Sequence, residues 1–312
     1  MKKSALIALA LAMASTAVQA VNYSSVVGGG LWSAPTTWGV ATTPGSVGLP
    51  GSDIARIVNG SLVTLNSAVP IAMGNVQIGR NTGGVGNFEV TTGGILNLTA
   101  ASSLLVGDQT VGTFLMSGGT INDSGRVDIT ASVAASGSTA TINGGNLDVG
   151  LAINVGKFAL GTLAINGGSV QALRMFVGTN GINSFVNLQG GSLTLLDTLT
   201  GGLTFNSAGS TLTIANDATL TLGGDRTTAI AGFAGINLLW ATGSSTLGGL
   251  YGTGDQTFDN GAGYYLHSFY DSVAAKTYAW VDTVAPVPEP TTLSLALLGG
   301  LGLLVGRRSK RS

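Results

Sequence analysis

Side chains able to do acid–base or nucleophilic work are few in this chain. Histidine occurs once, at His267, and cysteine not at all. A Ser-His-Asp relay needs one imidazole held between a hydroxyl and a carboxylate. Ser and Asp abound, so His267 is formally available for one, but a lone histidine in an aromatic strand pair reads first as a half-exposed surface residue. Thiol chemistry and disulfides are excluded, and a single imidazole puts the usual zinc sites out of reach. Carboxylates remain: Asp123, Asp128 and Asp148 fall in neighbouring copies of a repeat and could approach one another. Glycoside hydrolysis would need two of them about 5–9 Å apart, one with a raised pKa. Polysaccharide lysis would need a base plus cations facing the substrate's carboxylate, for which Arg126 and Arg174 are available. No copy gathers several charges, so neither reaction is the expected one. Gly252-Thr253-Gly254-Asp255, with Asp259-Asn260-Gly261, sets oxygen ligands in a Gly-rich loop of the kind calcium favours. The EF-hand spacing and the Gly-Gly-x-Gly-x-Asp nonapeptide are both missing, and such residues ordinarily make turns. The expectation is no catalytic residue, no metal and no cofactor.

What positions these residues is a repeat. Paired glycines recur at Gly93-Gly94, Gly118-Gly119, Gly144-Gly145, Gly167-Gly168 and Gly190-Gly191. Ahead of each pair sits a short alternating segment: 87–90, 113–116, 139–142, 162–165 and 185–188. A further copy, 211–214, has Asn216-Asp217 in place of the glycines. Behind each pair come an apolar column (Leu96, Ile121, Leu147, Val170, Leu193) and, one residue on, a polar one (Asn97, Asn122, Asp148, Gln171, Thr194). A third segment ends in glycine in most copies, as at Val106-Gly107, Val155-Gly156 and Val177-Gly178. A unit this short cannot bury its own apolar face, but stacked neighbours bury it for one another. Glycines supply the corners that need positive φ. The predicted fold is all-β, a parallel β-helix, with residues 76–222 as its regular part. Extending the period over most of 21–286 predicts roughly ten coils and a length of about 50 Å. Propellers need blades of about 40 residues or more, and sandwiches lack such a ladder, so both rank behind.

The two ends of the repeat differ from its middle. Residues 21–75 hold Trp32 and Trp38, then 53–58 and 61–65 as strands around Asn59-Gly60, a strong turn pair. This run resembles the opening segment of autotransporter-like secreted β-helix passengers, which implies a right-handed coil whose tryptophans cover the first rung. Stacking of these rings on a sugar is the competing role. Residues 223–286 lose the period and are rich in aromatics, among them Trp240 and Tyr264; 264–270 and 276–282 read as a hairpin around Asp271-Ser272.

Both termini carry sorting information. Lys2 and Lys3, the apolar stretch 5–18 and an Ala-Val-Gln-Ala segment closing at Ala20 have the pattern of a secretory signal peptide over residues 1–20. At the other end, Val287-Pro288-Glu289-Pro290 is followed by an uncharged Leu/Gly run, 291–306, and then by Arg307, Arg308, Lys310 and Arg311. Two prolines keep the triplet extended, so it reads as a stiff, protease-readable spacer. The run behind it is slightly shorter than a bilayer core, and the cations favour the cytoplasmic side. This order over 287–312 resembles the PEP-CTERM sorting signal. The resemblance implies an exosortase-type membrane protease as partner, cutting near the triplet, and transient anchoring of the chain in the inner membrane. An ordinary C-terminal anchor is the plainer alternative.

Between 21 and 286, seven cations face thirteen carboxylates, a net charge of −6. An acidic surface without basic clusters argues against nucleic acid and anionic lipid as partners. The expected function is a secreted or surface-attached, non-catalytic structural protein of an extracellular polysaccharide or biofilm matrix. A β-helix polysaccharide lyase or hydrolase, and a carbohydrate-binding adhesin, are the alternatives.

Overall fold

The structure, a computed structural model, describes residues 20–46, 50–80, 84–99, 104–235, 239–242, 256–259 and 264–282. The leader-like stretch before Ala20, the Pro-Glu-Pro triplet, the apolar run behind it and the basic tail lie outside the described residues, as does most of the candidate calcium loop. Among the described residues no helix is long and apolar enough to cross a membrane.

The chain starts with β1 (Asn22–Ser24), β2 (Gly29–Leu31) and one helical turn, α1 (Pro35–Trp38). Coils follow in order. The first set comprises β3 (Ile54–Ile57) and β4 (Leu62–Leu65), then β5 (Asn75–Ile78), β6 (Gly86–Val90) and β7 (Ile95–Leu98). Next come β8 (Leu104–Val106), β9 (Gly112–Asp123), β10 (Arg126–Ile129) and β11 (Ser138–Val155). The later coils use β12 (Gly161–Ile165), β13 (Ser169–Val177), β14 (Phe185–Leu188), β15 (Ser192–Leu195), β16 (Leu203–Phe205), β17 (Thr211–Ala215) and β18 (Thr219–Gly223). Equivalent strands of successive coils pair in parallel and form three faces, with β9, β11 and β13 running around corners from one face to the next. The result is a β-solenoid of about seven turns.

Alternation decides what lies inside. On the first face Ile57, Ile78, Val106, Ile129, Val155 and Val177 stand in one register column and are fully buried. On the second, Leu65, Val90, Met116, Ile142, Ile165, Leu188 and Ile214 do the same. The third is the apolar column Leu96 to Leu193, extended by Leu220. Each such side chain contributes about 1.5–3 kcal/mol of burial that its own coil could not supply alone.

The paired glycines form the corner between second and third faces. Gly119, Gly145, Gly168 and Gly191 all have positive φ, and a Cβ on each would lie 2.3–2.6 Å from the carbonyl oxygen of the glycine one coil earlier. Asn216, at φ 54°, takes this corner in the last coil, and its Nδ2 donates to the Gln189 carbonyl. Asparagine tolerates the left-handed region better than most side chains, which explains this substitute. The opposite corner, after the first face, uses another device. The glycines Gly107, Gly156 and Gly178 leave space that the next coil fills with Ser138, Ser184 and Ser210, whose hydroxyls would sit 1.7–2.0 Å from an added Cβ. Those serines are fully buried, and Ser138 and Ser184 accept the backbone N–H of Gly112 and Gly161.

The expected ten coils are not reached, because both ends leave the period. At the near end Trp32 and Trp38 join the core as a plug. Trp32 and Trp38 are buried and meet edge to face at 5.1 Å; Trp32 also lies 5.6 Å from Phe88, which stacks on Phe114 at 5.8 Å. At the far end comes a helix absent from the sequence expectation, α2 (Thr227–Gly235), whose Phe233 packs edge to face on Phe205 at 5.1 Å. Beyond β19 (Leu239–Thr242), the strands β20 (Gln256–Asp259), β21 (Tyr265–Asp271) and β22 (Lys276–Asp282) are antiparallel to one another. The hairpin read around Asp271-Ser272 is thus β21 and β22, and β22 pairs antiparallel with β18 on the third face.

Candidate functional site

A groove of about 300 Å³ runs along the third face, lined by Asn97, Leu98, Asn122, Asp123, Ser124, Asp148 and Gly150. The strands hold its polar column in register, Asn97 beside Asn122 beside Asp148 beside Gln171. Asn122 Nδ2 donates to Asn97 Oδ1 at 2.8 Å, and Gln171 Nε2 reaches Asp148 Oδ1 at 3.4 Å. Asn97 and Asn122 are exposed and Asp148 half-buried, so these amides and one carboxylate meet solvent at the coil repeat.

Asp123 sits differently. Its position belongs to the inward column, between Leu98 and Val149, and it is only 2% exposed. Its Oδ1 accepts the Gly125 N–H at 2.7 Å and so shapes the next corner. Asp128, one corner further along, lies on the first face: its neighbours are Leu105 and Asn154, and it is not part of the groove. Only two of the three carboxylates named from the sequence share a site.

Several carboxylates tie coils, or the entry segment, together. Asp128 accepts from Asn154 Nδ2 at 2.5 Å and from Lys157 Nζ at 2.6 Å. Asp108 pairs with Arg80 at 2.6 Å, and Asp197 with Arg174 at 2.5 Å. Asp53 accepts from the backbone N–H of Val21 and of Gly45. Arg174, considered above as a substrate-neutralising cation, is therefore engaged within the scaffold. The signal that could have found these pairs is spacing: 23 residues for Arg174–Asp197 and 26 for Asn154–Asp128 match the repeat.

Among the described residues, Asp197 has the strongest electrostatic signature. Its carboxylate takes the Thr200 hydroxyl, the Leu199 and Thr200 N–H groups at 2.8 and 3.2 Å, and Arg174 Nε. The Thr200 hydroxyl and the Leu199 amide, ahead of Arg174, hold it far below its ordinary value of 3.8. A carboxylate depressed in the folded state contributes stability that is complete above its unfolded pKa and disappears as pH falls through the folded one. In paired melts of wild type and Asp197→Asn, the gap should stay constant from neutral pH down toward 3.8 and shrink below it. A gap independent of pH down to 2 would mean that the charge contributes nothing.

His267 is a correction. Far from half-exposed, it is 2% exposed, stacks on Trp280 at 5.5 Å, and its Nδ1 lies 3.0 Å from Thr257 Oγ1. The pairing of β20, β21 and β22 places it inside the C-terminal unit, opposite Trp280 and Thr257. The rings of Trp32 and Trp38 are likewise inside: Trp32 Nε1 donates to the Pro44 carbonyl and Trp38 Nε1 to that of Trp32. Buried faces leave no ring to stack on a sugar, and the geometry gives them the role of a plug.

Among the described residues no three His, Asp or Glu side chains converge as a metal ion would require. No family model, curated protein or solved structure matches this chain.

Proposed function

We propose that the chain is an exported, non-catalytic, right-handed β-solenoid, handed to an exosortase-type membrane protease and built into an extracellular polysaccharide matrix or the cell surface. The observation that carries this reading is the order at the C-terminus: Pro288-Glu289-Pro290, then an uncharged Leu/Gly run, then Arg307, Arg308, Lys310 and Arg311. The engagement of Asp53, Asp108, Asp128 and Asp197 inside the scaffold supports the structural half, since an acid–base pair needs carboxyls free to meet substrate.

Intact-mass analysis of the native product tests it. The expected mature species begins at Val21, ends near Val287–Pro290, and is found outside the inner membrane. A full-length chain in the cytosol would overturn the sorting reading, and a membrane-held chain that keeps its tail would favour a plain anchor. The groove favours a second reading, carbohydrate binding, because exposed amides at the coil repeat suit sugar hydroxyls. Retention on a glycan array that is lost on Asn122→Ala would support it.

A further inference from the structure

On the first face one carboxylate is shared by an amine and a carboxamide. Asp128 Oδ2 receives Lys157 Nζ at 2.6 Å, while its Oδ1 receives Asn154 Nδ2 at 2.5 Å. A carboxylate only accepts, so the Asn154 amide must present its NH₂ here, which fixes the orientation of the group. The Asp128 side chain is 1% exposed, Lys157 is 23% exposed, and Asn154 is 8% exposed. Asn154 and Lys157 stand on either side of Gly156, whose φ of 73° turns the chain sharply between them.

We propose that Lys157 and Asn154 become joined by a side-chain amide bond, formed without any other reagent, with Asp128 as the proton carrier. A proton passes from Lys157 Nζ to Asp128 Oδ2, leaving a neutral amine. The amine's lone pair attacks Asn154 Cγ; the new Cγ–Nζ bond forms and the Cγ–Nδ2 bond breaks. Asp128 delivers its proton to Nδ2, which leaves as ammonia, and takes a second proton from Nζ as that nitrogen becomes the amide. Of the ammonium's three protons, one stays on the new amide, one departs with ammonia and one remains on Asp128. The two oxygens of one carboxylate already touch the nitrogen that attacks and the nitrogen that leaves, an arrangement suited to proton transfer in both halves of the exchange. The reaction replaces a buried carboxylate and its partly exposed ammonium partner by a neutral acid and a neutral amide, removing the cost of keeping the Asp128 charge away from water.

The other ion pairs make the contrast. Arg80–Asp108 and Arg174–Asp197 use guanidinium, which does not deprotonate in proteins and is no nucleophile.

The test is intact-mass and fragment analysis of the purified full chain. The expected wild-type mass is short by one ammonia, with the loss mapped across residues 154 and 157 and no tryptic cleavage after Lys157. Lys157→Arg, which keeps the ion pair and the fold, should have its full encoded mass and cleave at 157; Asp128→Asn should also lack the bond. A wild-type chain at its encoded mass and cleaved after Lys157 overturns the proposal. So does ammonia loss that persists in Lys157→Arg, as imide formation at an Asn-Gly pair would give, or loss of water mapped to Lys157 and Asp128.

Discussion

Gly168→Ala is expected to destabilise the protein by about 2–5 kcal/mol, whereas Gly181→Ala should cost about 1–2 kcal/mol. Both glycines have nearly the same backbone, φ 73° and 76°. They differ in surroundings: a Cβ on Gly168 would lie 2.5 Å from the Gly145 oxygen, and nothing lies within 4 Å of one on Gly181. The first substitution therefore adds a collision between coils to the left-handed penalty, and the obstacle is backbone that cannot rotate away. Denaturant midpoints for the two variants check this. Equal losses would mean that the stacked corner has slack, and that glycine is needed there for its dihedral alone.

Trp32→Ala should cost about 3–5 kcal/mol, the range for removing a large buried aromatic. Trp32 is 3% exposed, donates to the Pro44 carbonyl at 3.1 Å and bridges Trp38 to Phe88. Its loss would open a cavity at the end of the core, where only one neighbouring coil can relax into it. As a comparison, Leu199→Ala removes a side chain that is 87% exposed and should fall within about 0.5 kcal/mol of wild type. Calorimetry of both variants, alongside glycan binding, separates plug from sugar platform. Unchanged melting with abolished glycan retention for Trp32→Ala would restore the sugar-stacking role.

The repeat was legible because a parallel ladder imposes one residue type per column. The glycine pairs, the Leu96–Leu193 column and the polar column beside it could be aligned without knowing the cross-section. What the columns do not encode is the angle turned at each corner. Asp123 and Asp128 are five positions apart, yet the corner at Ser124-Gly125 puts them on different faces. Asp123, named among the carboxylates that could meet across copies, is turned inward by the pleat beside Leu98. The ends were harder still. His267 was read from its own strand pair, but its burial depends on β20, which pairs from the other side. Helix α2 follows Gly224-Asp225, where Asp225 Oδ1 accepts the Thr227 N–H and hydroxyl, a capping signal that the Gly-rich context obscured.

The reversed pairing of β22 on β18 bears on how long such an object can grow. A parallel rung ends in evenly spaced donors and acceptors, the same pattern that lets identical chains add to a fibril tip. Here β22 takes the outer edge of β18 in the antiparallel pattern and has its own second edge taken by β21, so neither strand leaves a parallel ladder for another rung to extend. On this face the molecule therefore stops itself, and its reach is written in the gene as a number of coils rather than left to polymerisation.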